Sequence, residues 1–214
     1  TIKATDWNGV HPLNEIVQSI NPTNGWLQNC NATPFTVAGM GSINKKKYPS
    51  YMAPDPENFR GINAVKVLAR TNKYDINSLI AAGYDTYLSA FDVLIPAIIS
   101  ASRTPVADDM KADINKAIQM LAVWDRKSAA TSVPTTIGIM WAERILPYLT
   151  KGQLGDMDLT LELPRLLKTA PDATKMSFLI DVLKKLKTDF GTWEVAWGDI
   201  NRFQRIDNTL QSKY

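Results

Sequence analysis

Hydrophobic and polar positions follow two different patterns along the chain. Residues 1–56 are interrupted by glycines and prolines with aromatic residues between them, which predicts short strands joined by loops. From Glu57 onward, apolar residues recur every three or four positions, as on the buried face of an amphipathic helix. We therefore predict a mainly α fold preceded by a short strand-and-loop segment. That segment has too few strands to close a sheet, so we expect it to pair with sheet supplied from elsewhere.

Five apolar stripes predict helices. They cover Asn58–Arg70, Asn77 to Ile98, Asp108 or Asp109 to Trp124, Pro134 to about Leu149, and Asp172 or Thr174 to Phe190. The second is the longest, and Pro96 should kink or divide it. Gly191 follows the last stripe, in the position of a helix C-terminus. We interpret the stripes as ordinary core faces, with residues such as Ile137, Trp141 and Leu183 buried.

Composition and charge exclude several functional classes. The 214 residues, of which 45% are hydrophobic and 21% charged, are typical of globular domains. A net charge of +3 is too balanced to indicate a nucleic-acid partner. One cysteine and one histidine exclude a disulfide framework, a multi-Cys zinc site and a His-rich metal centre. No apolar stretch reaches the ~20 residues of a membrane span, and the first residues lack the signal-peptide pattern.

Two asparagines mark the first candidate site. Residues 25–31 predict a strand that enters a turn at Asn31–Pro34. A side-chain amide at a strand end is a neutral, fixed donor, which suits the stabilisation of an oxyanion. Taken alone, however, we favour the simpler interpretation that Asn29 and Asn31 stabilise the turn through Asx hydrogen bonds.

Three further stretches combine charged and aromatic residues. Residues 48–61 place Arg60 at a helix start, where the helix dipole slightly disfavours a cation. Residues 121–128 contain Trp124 followed by an Asp-Arg pair, and residues 192–203 contain Trp-Gly-Asp-Ile-Asn-Arg. We interpret the Trp124 stretch as structural.

In their order along the chain, these four stretches resemble the large subunit of the penicillin acylase family of N-terminal-nucleophile amidohydrolases. The family's Asn-Pro-x-x-Gly and Asn-x-Asn-x-x-Pro elements are matched without a gap between Asn21 and Pro34. The resemblance implies that Asn31 supplies the side-chain half of the oxyanion hole. It also implies that Arg60 lies near the active site and helps to position the nucleophile and Asn31. The Asn form of the last stretch, at Asn201, is more similar to aculeacin A and acyl-homoserine-lactone acylases.

The resemblance implies a hydrolase that cleaves the amide bond between an acyl chain and an amine, in substrates of the β-lactam, acyl-homoserine-lactone or lipopeptide type. In this family the nucleophile is a Ser freed at the N-terminus of the large subunit by autoproteolysis of a zymogen, and its own α-amine is the base. Thr1 does not fit that place, because the family's oxyanion Asn lies far downstream of the nucleophile. We expect the nucleophile to lie outside this chain and the chain alone to be inactive.

The resemblance also implies a domain organisation, partners and a location. Residues 1–56 would belong to the catalytic αββα sandwich, residues 57–190 to a helical knob, and residues 191–214 to a return toward the sandwich. The partners would be the remainder of the large subunit, the small subunit and a small N-acyl substrate, without nucleic acid or membrane. The family's location is periplasmic or secreted.

No cofactor or metal is predicted. Met52 stands about where the resemblance places the family's calcium-binding carboxylate, so this segment does not predict calcium, and Asp55 is a candidate substitute. We expect His11 and Cys30 to be structural.

Two alternatives remain open. One is a non-catalytic helical interaction module that retains only the family's knob, and the other is a stand-alone hydrolase that uses Thr1. A Gly-Ser processing point encoded upstream of Thr1 would favour the acylase.

Overall fold

The computed structural model describes residues 9–71, 73–105, 108–153 and 157–202, whose regular structure is helical. In these ranges the chain forms eight α-helices, three single-turn 3-10 helices and no strand. The α-helices are α1 (Phe59–Leu68), α2 (Ile76–Gly83), α3 (Phe91–Ala101), α4 (Asp108–Val123), α5 (Val133–Thr150), α6 (Leu159–Thr169), α7 (Asp172–Phe190) and α8 (Trp197–Ile200). The predicted mainly helical fold is confirmed. None of the described helices is long and apolar enough to cross a bilayer.

The chain divides into two compact units, Thr1–Asp85 and Thr86–Tyr214. The first unit holds the 3-10 helices, α1 and α2, and the second unit holds α3 to α8. The boundaries after residues 56 and 190 rest on the family resemblance and stay predictions.

The strand expected over residues 25–31 does not form in the first unit. Residues 26–29 carry no regular structure, and the Gln28 N–H donates one isolated hydrogen bond to the Val37 carbonyl, at 2.9 Å. A strand needs a neighbouring strand for its alternating N–H and C=O groups. The described part of the chain offers none, and pairing with sheet supplied from elsewhere stays a prediction.

The predicted long helix from Asn77 is wrong, because the chain forms two helices there. Asp75 is the N-cap of α2 and makes a reciprocal capping box with Ser78. That helix ends at Gly83, and α3 begins at Phe91. Pro96 lies inside α3 on an exposed position, so the division precedes the proline.

Backbone pairing between distant segments explains the division. The Leu88 N–H donates to the Arg126 carbonyl at 2.8 Å, and the Ser128 N–H donates to the Thr86 carbonyl at 3.0 Å. In a continuous helix, the Thr86 carbonyl and the Leu88 N–H would form hydrogen bonds to other residues of the same helix. Pairing with the segment after α4 satisfies them instead.

The core of the second unit surrounds α7, which packs against α3, α4 and α5. The predicted inner faces of α5 and α7 are confirmed, since Ile137, Trp141 and Ile145 on α5 and Leu183 on α7 are at most 1% exposed. The core-face interpretation is wrong for the start of the second stripe, where Leu79, Ile80 and Tyr84 are exposed. The Trp141 indole N–H donates to the Lys175 carbonyl at 3.0 Å, so this large ring is buried with its one polar group satisfied.

Two helices were not expected from the sequence, α6 and α8. Asp158 caps α6 by accepting from the Thr160 and Leu161 N–H groups. Two leucines of α6, Leu163 and Leu167, are buried, although Pro164 lies between them. Pro164 is the sixth residue of the helix, so it removes the hydrogen bond that this position would donate to the Thr160 carbonyl.

Asp113 on α4 ties the end of α7 to the segment that follows it. Its carboxylate accepts hydrogen bonds from the Lys187 ammonium and, at 2.9 Å, from the Trp193 indole N–H. The Lys187 and Trp193 hydrogen bonds, in that order, lower the pKa of the Asp113 carboxyl, because they favour its charged form. Trp193 belongs to the fourth candidate stretch and is 3% exposed, which gives it a packing role.

We expect this carboxylate to contribute to acid sensitivity. A lowered folded-state pKa gives stability that is present above the unfolded pKa of about 3.9 and is lost as the pH falls through the folded value. An Asp113→Asn variant should therefore be less stable than the wild type at neutral pH, by on the order of 1 kcal/mol, and the difference should disappear in acid. Urea unfolding at a series of pH values measures this.

Asp181→Asn is the matched control, because Asp181 on α7 is exposed and its carboxylate makes no hydrogen bond to a described residue. A stability difference for Asp113→Asn that stays constant from neutral pH to pH ~2 contradicts the assignment.

Candidate functional site

The first candidate residue, Asn31, lies in a turn of the first unit with a left-handed backbone (φ 53°). Asparagine tolerates this conformation better than other residues with a Cβ, apart from aspartate. The Asn31 N–H donates to the Asn29 side-chain oxygen at 2.9 Å, which closes an Asx turn. We call these residues the Asn29–Asn31 turn. The simpler interpretation from the sequence therefore describes Asn29 correctly.

The Asn31 side chain has a different environment. The residue is exposed, and its amide makes no hydrogen bond to any residue that the structure describes. Its NH₂ group is thus available to an external acceptor, because the hydrogen bonds of the turn involve only the backbone N–H and C=O of Asn31.

Asn58 connects this turn to α1, a role that the sequence pattern does not reveal. Its Nδ2 donates to the carbonyl oxygens of Cys30, at 2.9 Å, and Asn31, at 3.2 Å. Its Oδ1 accepts the Gly61 N–H at 2.9 Å, which makes it the N-cap of the helix. An Asn before an apolar stripe is a recognisable N-cap signal, but its partners some 28 residues away are not readable from the stripe.

A second contact joins the same two segments. The Thr33 N–H donates to the Pro56 carbonyl at 3.1 Å, and Thr33 is buried. A Cβ on the buried Gly61 would lie 3.5 Å from the Ala32 Cβ and would collide with the Glu57 carboxylate. The contact with Ala32 is an ordinary van der Waals distance, so glycine at this position leaves room for the Glu57 carboxylate rather than for the loop.

Arg60, the second predicted site residue, is the second residue of α1. It is exposed, and its guanidinium makes no hydrogen bond or ion pair with the described residues. It lies two positions after Asn58, so Arg60 and Asn31 are carried by the two segments that Asn58 joins.

His11 lies in an exposed hydrogen-bonded chain. Its Nδ1 lies 2.8 Å from the Glu15 carboxylate, and its Nε2 lies 2.8 Å from the Tyr51 hydroxyl. These contacts fit the structural role expected of His11 and lie beside a surface cavity that Lys47 and Met52 also line.

The remaining candidates of the first unit are a thiol and a carboxylate. Cys30 is a half-buried free thiol, and Asp55 is exposed. No group of three His, Cys, Asp or Glu side chains within the described ranges could hold a metal ion. The absence of a cofactor stays a prediction. Thr1 lies outside the described residues.

The fourth candidate stretch contacts the segment that follows the third, within the second unit. The Trp197 N–H donates to the Ser132 carbonyl at 3.1 Å, and the Gly198 N–H donates to the Ala130 carbonyl at 2.7 Å. Trp124 is 8% exposed and packs edge-to-face on Phe91, with ring centroids 5.0 Å apart. These contacts support the structural interpretation of the Trp124 stretch.

The chemistry available around Asn31 is the stabilisation of negative charge. A side-chain amide donates hydrogen bonds without acting as an acid at neutral pH, and a guanidinium stays protonated. Neither group is a nucleophile. The arrangement can hold an oxyanion, and it requires an attacking group from another part of the protein.

A comparison with known protein families gives one match, which covers nearly the whole chain. The family described as Penicillin amidase matches residues 1–212.

Proposed function

Because this chain belongs to the penicillin amidase family, whose general function is amide hydrolysis, we propose that it forms the oxyanion-stabilising part of an acylase. The reaction would cleave the amide bond between an acyl chain and an amine. The observation that supports this is the exposed Asn31 amide, which a left-handed turn presents without a partner among the described residues.

The proposed mechanism begins with a Ser nucleophile supplied by polypeptide outside these residues. Its free α-amine takes the hydroxyl proton, and the oxygen attacks the substrate carbonyl. The carbonyl oxygen then becomes negatively charged. The Asn31 NH₂, together with backbone N–H groups, donates to this oxyanion, and donors fixed in advance act only where charge develops. As the tetrahedral intermediate collapses, the α-ammonium gives its proton to the leaving nitrogen and the amine is released, and water then hydrolyses the acyl-enzyme.

The uncharged state of Asn31 fits this role. A cation in its place would also pair with substrate or protein carboxylates, whereas an amide donates without attracting a counter-ion. We propose that Arg60 acts as a positioning residue. It lies on α1, and the N-cap of this helix, Asn58, donates a hydrogen bond to the Asn31 carbonyl in the Asn29–Asn31 turn.

The substrate class is proposed from the sequence resemblance alone. The Asn form of the last stretch, at Asn201, favours acyl chains of the lactone or lipopeptide type over phenylacetyl groups. We also propose the remainder of the large subunit and the small subunit as partners, and a periplasmic or secreted location.

The proposal is tested by comparing the complete acylase with the isolated 214-residue chain. Each is incubated with a series of N-acyl amides, and release of the free amine is measured. We expect turnover by the complete protein. We expect none by the isolated chain, because the proposed Ser nucleophile belongs to polypeptide outside these residues. Turnover by the isolated chain would support the alternative hydrolase that uses Thr1. A complete protein that hydrolyses no amide would support the non-catalytic interaction module.

A further inference from the structure

We infer that Asn58 is a positioning residue for Asn31: its side-chain amide fixes the two peptide groups that flank Asn31 and so sets the direction of the Asn31 amide. The inference rests on the proposed function. It assigns to Asn58 a role beyond helix capping, and this role depends on contacts between segments far apart in the sequence.

Asn58 donates to a carbonyl on each side of the Asn31 Cα. The Cys30 carbonyl belongs to the peptide group before the Asn31 Cα, and the Asn31 carbonyl belongs to the peptide group after it. Asn58 Nδ2 contacts both, at 2.9 and 3.2 Å. Since planar peptide groups on both sides of a Cα determine its φ and ψ, one donor group restrains both angles. The direction of the Cα–Cβ bond follows from them.

The orientation of the Asn58 amide is itself determined. An asparagine can be placed with its oxygen and nitrogen exchanged, and only the hydrogen-bond partners decide between the two arrangements. Here the Gly61 N–H is a donor and therefore requires the oxygen on its side, at 2.9 Å. The NH₂ group must then face the turn, where both partners are acceptors.

The backbone of Asn58 is fixed as well. Its N–H donates to the Glu57 side chain at 2.8 Å, and the helix that it caps buries Val67. The donor is therefore attached to the N-cap residue of a packed helix and not to the loop that carries Asn31.

Asn31 needs such a restraint because its left-handed conformation is costly for most residues. Without Asn58, the hydrogen bond that Asn29 Oδ1 accepts from the Asn31 N–H is the only side-chain hydrogen bond to the turn itself within the described residues. An oxyanion donor is sensitive to small displacements, and a misplacement of about 1 Å can cost roughly 100-fold in rate.

Substitutions of Asn58 can separate its capping of α1 from its positioning of Asn31. Serine and aspartate are N-cap residues about as good as asparagine, but neither has an NH₂ group. Asn58→Ser and Asn58→Asp should both keep the cap to Gly61 and lose the contacts to Cys30 and Asn31. The aspartate adds repulsion between its carboxylate and the two carbonyl oxygens. We expect kcat of the complete acylase to fall roughly 10- to 100-fold, with KM changed only a few-fold.

The matched control is Asn44→Ser. Asn44 also caps a helix, the 3-10 helix Lys45–Lys47, by accepting the Lys46 N–H at 3.0 Å, but its side chain makes no contact with the Asn29–Asn31 turn among the described residues. We expect wild-type kcat for this variant. The thermal unfolding midpoints of all variants show whether each one is folded.

A double-mutant cycle with Asn31→Gly completes the test. If Asn58 acts through the Asn31 amide, adding Asn58→Ser to Asn31→Gly should lower kcat by less than twofold further. A full additional loss in the double variant, or wild-type kcat in Asn58→Ser alone, overturns the inference. If Asn31→Gly itself retains wild-type kcat, the proposed function fails, and this result is distinct from either of the others.

Discussion

Replacing Asn31 with glycine should lower kcat of the complete acylase by about 10²- to 10³-fold, which corresponds to roughly 2.7–4 kcal/mol of transition-state stabilisation. Glycine is the informative substitution because the residue has a φ of 53°, which glycine adopts freely. The variant therefore removes the amide without straining the turn. KM should change little, because the donor acts on charge that forms only in the transition state. Steady-state kinetics with an N-acyl amide measure both constants.

Two further substitutions at the same position separate the possible causes of the loss. Asn31→Asp keeps the size of the side chain and its tolerance of a left-handed backbone but has no NH₂ donor, so its kcat should be at least as low. Asn31→Ala removes the donor and also strains the backbone, so it should lose both activity and stability. Wild-type kcat/KM in Asn31→Gly would show that this amide does not stabilise the oxyanion.

The largest effect on stability is expected at Trp141. The ring is 1% exposed on α5, and its N–H donates to the Lys175 carbonyl on α7. We expect Trp141→Ala to reduce the free energy of unfolding by about 3–5 kcal/mol, because it removes a large buried surface and leaves a cavity. Urea unfolding followed by circular dichroism measures the loss.

Tyr148→Ala is the control on the same helix. Tyr148 is 46% exposed, and its ring contacts Phe178 with centroids 5.7 Å apart, so its loss should cost about 1 kcal/mol. Equal losses for the two variants would contradict the central position that the structure gives to Trp141.

The sequence predicts the helical core well where a stripe is long and uninterrupted. The α5 stripe through Trp141 has proline in its first turn and apolar residues at helical spacing, and all of this is local information. The α7 stripe ends at Gly191, which has the positive φ expected of a helix C-cap. In both cases local propensity and the tertiary structure agree.

The sequence fails where contacts between distant segments compete with a local pattern. The stripe from Asn77 continues through Leu88, yet the Leu88 N–H bonds to Arg126, which no local pattern reveals. Helix α6 was missed because Pro164 interrupts its stripe.

The candidate site shows the same division between local and distant information. The Asx turn at Asn29 follows from local residue preferences. The contacts of Asn58 join residues 27 and 28 positions apart and appear only in three dimensions.

The two connections between the Asn31 region and the start of α1 have a consequence for how this part of the chain can change. Thr33 bonds to Pro56 and Asn58 bonds to Asn31, so the intervening residues begin and end at one place. Lengthening a loop whose ends are already fixed costs little free energy. The exposed Lys45–Lys47 segment could therefore accept insertions or exchanged sequences while the geometry at its base is preserved.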